Sequence, residues 1–110
     1  MAFSDKKDCD FSMDDIQKYK FYKNLIDLPY VDQIWLYGSR ARADNQNRAD
    51  IDLAILCPTA KLRDWDHVLK IIEEADTLLK IDIVRLDEYD SSSPLKQSIL
   101  TQGVKLYERL

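Results

Sequence analysis

The stretch YGSRARADNQNRADIDLAIL, residues 37–56, holds one of only two glycines in a chain of 110 residues. Gly38 follows the apolar run IWLY, and two aspartates, Asp50 and Asp52, open a second apolar run that ends at Leu56. An apolar run, a glycine, a polar and basic segment, and another apolar run predict strand, turn and strand. In the second run Ile51, Leu53 and Ile55 alternate with Asp50, Asp52 and Ala54. A strand over 49–56 therefore sends both carboxylates out of one face. The preceding strand spans 31–38, rich in β-formers and stopped by Gly38, and Pro58 marks the end of the second. The segment 39–48 between them is polar and basic.

Outward from this centre the chain alternates between the two periodicities. Residues 11–28 predict a helix, with Ser12 as N-cap, Asp14 and Asp15 in the first turn, Ile16, Tyr19, Tyr22 and Ile26 at helical spacing, and Pro29 as the stop. Residues 62–79 predict a second amphipathic helix with Trp65, Val68, Leu69, Ile72, Ala75 and Leu79 on its apolar stripe. KIDIVRL, 80–86, alternates as a third strand and carries Asp82. Ser93 and Pro94 can start a short helix that runs to about Gln102, Gly103 closes it, and VKLY adds an edge strand. The order α-β-turn-β-α-β-α predicts an α/β or α+β domain with a central mixed sheet flanked by helices. Residues 1–110 are expected to form a single domain, with 1–10 as a flexible lead-in.

Composition narrows the function. Hydrophobic residues at 45% and charged residues at 33% describe a folded globular chain rather than a disordered one. A formal charge of −4 argues against broad nucleic-acid binding, which needs a basic footprint. No run approaches the roughly 18 apolar residues that cross a bilayer, and the acidic N-terminal stretch is unlike a signal peptide, so a cytoplasmic location is expected. Cys9 and Cys57 are too few and too far apart for a disulfide framework or a zinc site.

The carboxylates carry the chemistry. Two like charges on one strand face raise each other's proton affinity unless a cation lies between them. A hard divalent ion such as Mg²⁺ removes that penalty and keeps positions open for phosphates. If the second and third strands are neighbours, Asp82 joins the group, and three carboxylates on one face match a two-metal phosphoryl-transfer site. Taken singly, each aspartate also fits a polar position on a solvated face. Gly38 and Ser39 after a strand suit a backbone that passes close to an anion, with Arg40, Arg42 and Arg48 adding charge nearby. A strand-ending glycine with solvated arginines fits the same residues.

Gly38-Ser39, Arg40-Ala41-Arg42 and Asp50-Ile51-Asp52-Leu53 together resemble the signature of the DNA polymerase beta-like nucleotidyltransferase superfamily. More closely, the chain is similar to the minimal nucleotidyltransferase (MNT) antitoxins. The resemblance covers a leading helix, the signature, the third aspartate in IDIVRL, and the ending SILTQGVKLYERL. It departs at Ala43 and Ala49, where the family often has glycine and serine; neither is a metal ligand. The resemblance implies that Asp50, Asp52 and Asp82 bind two Mg²⁺ ions and are the catalytic carboxylates, with Asp82 a candidate base. It implies that Gly38 and Ser39 contact the β- and γ-phosphates of ATP, with Arg40 or Arg42 beside the leaving pyrophosphate. The implied partner is an all-helical HEPN protein, a toxin silenced by transfer of AMP to one of its tyrosines. Two other functions fit the same resemblance: a nucleotide-binding subunit of a two-component small-molecule nucleotidyltransferase, and an antitoxin that works by occlusion without catalysis. No membrane and no direct nucleic-acid partner is expected.

The remaining conspicuous residues predict structure. His67, the sole histidine, falls mid-helix and is expected in solvent. Trp65 and Cys57 are expected in the core, and Tyr19, Tyr22 and Tyr37 in core or interface.

Overall fold

The computed structural model describes residues 16–37, 51–77 and 80–109. Its elements in chain order are helix α1 (Lys20–Ile26), strands β1 (Gln33–Tyr37) and β2 (Ile51–Leu56), and helix α2 (Leu62–Glu73). Strand β3 (Ile81–Arg85), a 3₁₀ turn (Leu86–Glu88), helix α3 (Pro94–Gln102) and strand β4 (Val104–Glu108) follow. The four strands form one mixed sheet in the order β3-β2-β1-β4. β1 is antiparallel to both β2 and β4, whereas β2 and β3 run parallel, with α2 as the crossover. Among the described residues no helix is long and apolar enough to cross a membrane.

Strand alternation sorts the side chains onto two covered faces. Ile34, Leu36, Ile51, Leu53 and Ile55 point to one face and are fully buried or nearly so with Phe21, Leu25 and Val68 of the helices. At roughly 1.5–3 kcal/mol for each large apolar side chain, this layer is the main stabilising term. Ala54 faces the other way, yet it too is 0% exposed, because Leu86 and Ile99 cover it with Trp35, Tyr37, Leu56, Val84 and Leu95 alongside. The sheet is thus sandwiched between α1 with α2 on one side and α3 with the 3₁₀ turn on the other.

Three expectations need correction. The helix expected over 11–28 breaks within the described part: Tyr19 takes an extended conformation at the N-cap of α1 and makes no side-chain cap bond. The cap comes from far along the chain. Asp76 accepts hydrogen bonds from the backbone amides of Lys20 (3.0 Å) and Phe21 (3.2 Å). Those amides, Lys20 first, hold its carboxyl below the usual carboxylate range. The same contact explains the second correction, that α2 ends at Glu73 rather than near 79: the chain must leave the helix to bring Asp76 to α1. Thirdly, Leu69 is 40% exposed. The core-facing stripe of α2 runs through Trp65, buried Val68 and Ile72, continues to Ala75 just past the helix and widens toward Ile71, which leaves Leu69 on the flank with Leu62. Leu79 lies outside the described residues.

The C-terminal elements follow expectation. Ser93 caps α3 by accepting from the Lys96 amide (3.3 Å), with Pro94 at the first helical position. Gly103 then closes it where a Cβ would lie 2.5 Å from the Ile99 carbonyl oxygen of α3 and 3.1 Å from the Leu36 carbonyl oxygen of β1, so only glycine fits. In β4 the pairing register shifts so that Leu106 bulges out of the ladder with β1. Its carbonyl accepts instead from Tyr22 Oη (3.1 Å) and Gln17 Nε2 (3.2 Å), which ties the edge strand to the first helical segment.

Candidate active site

The parallel pairing of β2 and β3 sets Asp52 directly beside Asp82, and the antiparallel pairing of β1 and β2 sets Tyr37 on the other side of Asp52. The three residues form one row across three strands at the same end of the sheet. Each is two residues from a member of the cluster under α3: Trp35 for Tyr37, Ala54 for Asp52, and Val84 for Asp82. All three side chains consequently leave the sheet on the α3 face. Neighbouring strands lie about 5 Å apart, close enough for two carboxylates to share one cation. The expected adjacency of the second and third strands is what the structure has, with Asp52 and Asp82 at paired register positions.

The surroundings differ along the row. Tyr37 is half-buried, and its phenol is pushed up to about 12, first by burial and then by the charges of Asp52 and Asp82. It therefore stays a neutral hydroxyl at physiological pH, and its shift registers the negative field of the two carboxylates. Asp52 is half-buried, and the Asp82 side chain is 47% exposed. Lys80 Nζ lies 3.8 Å from Asp82 Oδ1 at the rim. Two oxygen-bearing side chains abreast in a negative field, one of them open to solvent, fit a hard divalent cation. Among the described residues no group of three or more metal-binding side chains occurs. The third carboxylate expected here, Asp50, immediately precedes β2 and lies outside the described residues, as do Gly38, Ser39, Arg40, Arg42, Arg48, Ala43, Ala49 and Cys9.

The other residues singled out take structural places. His67 is exposed on α2. Trp65 packs against the core with the Arg85 guanidinium 5.9 Å from its ring centroid. Cys57 is fully buried. Tyr22 is buried and Tyr19 partly so. A shallow dent between α1 and α2, lined by Lys20, Phe21, Asn24, Ile71, Glu74 and Asp76, opens on the opposite face of the sheet. Its Asp76 is already committed to the α1 amides, so it offers no comparable chemistry.

Two residues near the carboxylates were not assigned to the site by the sequence. Tyr37, expected in core or interface, packs against the cluster under α3, and its pairing with Asp52 also sets it on the carboxylate face. Lys80 stands immediately before β3, two residues from Asp82, and its ammonium reaches the Asp82 carboxylate.

The chain is similar to known proteins. The sequence model of a family described as polymerase beta, nucleotidyltransferase, matches residues 18–110. The protein adenylyltransferase MntA of Shewanella oneidensis is 28% identical over 98 residues, covering 86% of this chain and 68% of its own. A chain of the tri-AMPylated Shewanella oneidensis HEPN toxin in complex with MNT antitoxin superposes with a TM-score of 0.55 at 28% identity, covering 82% of this chain and 68% of that one. A toxin–antitoxin complex with AMP-PNP shares the fold, with a TM-score of 0.62 at 24% identity over 90% of this chain and 75% of that one.

Proposed function

The chain belongs to the polymerase beta nucleotidyltransferase family, and from that premise we propose that it is the antitoxin of a two-protein pair, transferring AMP from ATP to a tyrosine of a helical HEPN toxin. The observation that carries this reading is the register that sets Asp52 beside Asp82 on adjacent parallel strands. A protein acceptor is supported by the Shewanella oneidensis relative, which is named a protein adenylyltransferase, and by the solved complex from the same organism, in which the HEPN toxin is AMPylated.

The donor is a nucleoside triphosphate, as the family's reaction requires. Asp50, Asp52 and Asp82 are the residues that would hold divalent cations, two Mg²⁺ in this reading. Bound there, the cations would offset triphosphate charge and polarise the α-phosphate. Gly38 and Ser39 take the β- and γ-phosphates, with Arg40 or Arg42 beside the pyrophosphate. The acceptor phenol attacks the α-phosphorus in line: an oxygen–phosphorus bond forms, the bond to the β-phosphate oxygen breaks, and pyrophosphate leaves. The phenol proton goes to a site carboxylate, for which exposed Asp82 is the candidate. Rigid strands hold Asp52 and Asp82 at fixed spacing, so the rate gain comes from positioning and electrostatics rather than covalent catalysis.

The test mixes the chain with its HEPN partner, Mg²⁺ and labelled ATP and follows the partner's mass. Wild type adds one or more AMP units, and Asp52→Asn adds none. If Asp52→Asn silences the toxin as well as wild type does, occlusion rather than transfer is the mechanism.

A further inference from the structure

We propose that Lys80 holds the Asp82 carboxylate while the site is empty and moves to the nucleotide phosphates once a divalent cation has taken that carboxylate. The proposal rests on Asp52 and Asp82 being the cation-binding pair.

The geometry separates a fixed base from a free tip. The Lys80 carbonyl accepts a hydrogen bond from the Ile51 amide at 2.9 Å, so its backbone is locked to the first residue of β2. Its side chain is 72% exposed and reaches Asp82 at 3.8 Å, an ion pair longer than a direct hydrogen bond. Exposed pairs of this kind contribute little to stability. Lys80 is therefore poorly explained as a structural strut. A doubly charged cation with oxygen preference outcompetes a single ammonium for Asp82. Once displaced, the ammonium lies next to like charge and swings on its flexible stem toward the nearest anion. In a loaded site that anion is the polyphosphate, and lysine suits it as a mobile point charge. Lys80 thereby makes nucleotide and cation binding mutually favourable, because the nucleotide gains its lysine only after the cation arrives.

Two binding measurements on the full chain test this without turnover. Mn²⁺ alone is titrated by the loss of its free-ion paramagnetic resonance signal. A non-hydrolysable ATP analogue is titrated by calorimetry at saturating Mg²⁺. Lys80→Gln is expected to bind Mn²⁺ more tightly, by up to about fivefold, since a competitor for Asp82 is gone. The same variant is expected to bind the analogue roughly three- to tenfold more weakly, and Lys80→Arg to regain most of that loss. Lys70→Gln, with the same charge change at an exposed position on α2, should move neither. Unchanged analogue binding in Lys80→Gln overturns the proposal, as do unchanged or weaker Mn²⁺ binding and equal effects from Lys70→Gln. Wild type and Asp52→Asn separate the two levels. If wild type binds no Mn²⁺, or Asp52→Asn binds it equally well, the carboxylate site itself is misassigned.

Discussion

The parallel pair β2–β3 has charged residues at both ends, and the two ends are built on opposite logic. At the C-terminal end, Arg85 and Asp87 meet at 2.9 Å with side chains only 10% and 15% exposed. Arg85 also donates to the carbonyls of Cys57 (3.0 Å) and Ala60 (2.8 Å), and Asp87 accepts from the Cys57 amide at 2.8 Å. Opposite charges and backbone groups satisfy one another there, and the turn after β2 is clamped to the end of β3. At the N-terminal end two like charges, Asp52 and Asp82, lie abreast, and the partner of Asp82 among the described residues is a loosely held surface lysine. The contrast is between opposite charges that satisfy one another with backbone groups and a row of like charges, the kind of arrangement that clusters at functional sites.

The largest expected effect lies at the clamp. Arg85→Met keeps an unbranched side chain of similar reach but removes the guanidinium from beside Trp65 and from Asp87 and the two carbonyls it donates to. The loss should be roughly 3 kcal/mol, in the range for breaking a desolvated pair, read as a lower urea midpoint at unchanged slope. Specific activity of the folded fraction should hold. If Arg85→Met instead abolishes transfer in protein that is still folded, the two ends are not separate devices.

A smaller effect, present at both ends, comes from alkaline pH. Burial, then the charge of Asp87, pushes the Cys57 thiol up to about 12 from 9.0 at the clamp end. Tyr37 reaches about 12 from 10.0 at the open end. Both pKa values are raised in the fold, so the stability tied to the neutral forms is complete below the ordinary values and lost as pH rises toward the folded ones. Urea midpoints should therefore fall from about pH 9 for the thiol and about pH 10 for the phenol, toward pH 12. Cys57→Ala should remove the fall that begins near pH 9, and Tyr37→Phe the additional slope that sets in near pH 10. An unchanged slope in either variant would mean that the group is not held neutral by its surroundings.

These two ends were not equally legible in the sequence. Asp52 and Asp82 could be found because strand alternation is local, and one topological condition, that β2 and β3 be neighbours, brought them together. The clamp needed more. Arg85 and Asp87 look like ordinary charges at a strand end, and their partners are backbone groups of Cys57 and Ala60, 25 to 30 residues away. No side-chain pattern records a backbone acceptor. The ends of α1 and α2 were missed for the same reason, since Asp76 caps α1 from more than 50 residues downstream. Helical periodicity continues through Ala75 and says nothing of a carboxylate required elsewhere. Leu69 was misplaced because an apolar residue on the edge of a stripe reads the same whether the stripe widens toward it or away from it.

The smallest expected change in stability belongs to the residue with the most to lose in function. Asp82→Asn removes one of two abreast like charges and a loose rim ion pair together, and the two losses act in opposite directions. In the absence of divalent cation its stability should stay within ~1 kcal/mol of wild type, as exposed charge pairs do. Transfer should nevertheless fall by at least about a hundredfold, since even residues that only support metal ligands can have effects of that size. The two measurements must be made on the same preparation, because their divergence is the point. A variant that is destabilised as much as Arg85→Met would place Asp82 in a structural cluster of the kind seen at the clamp. A variant with intact transfer would reduce the register of Asp52 and Asp82 to two polar positions on a solvated strand end. Equal or higher stability with lost transfer is the signature of a charge kept against the interest of the fold, and it ties the open end of β2–β3 to the reaction.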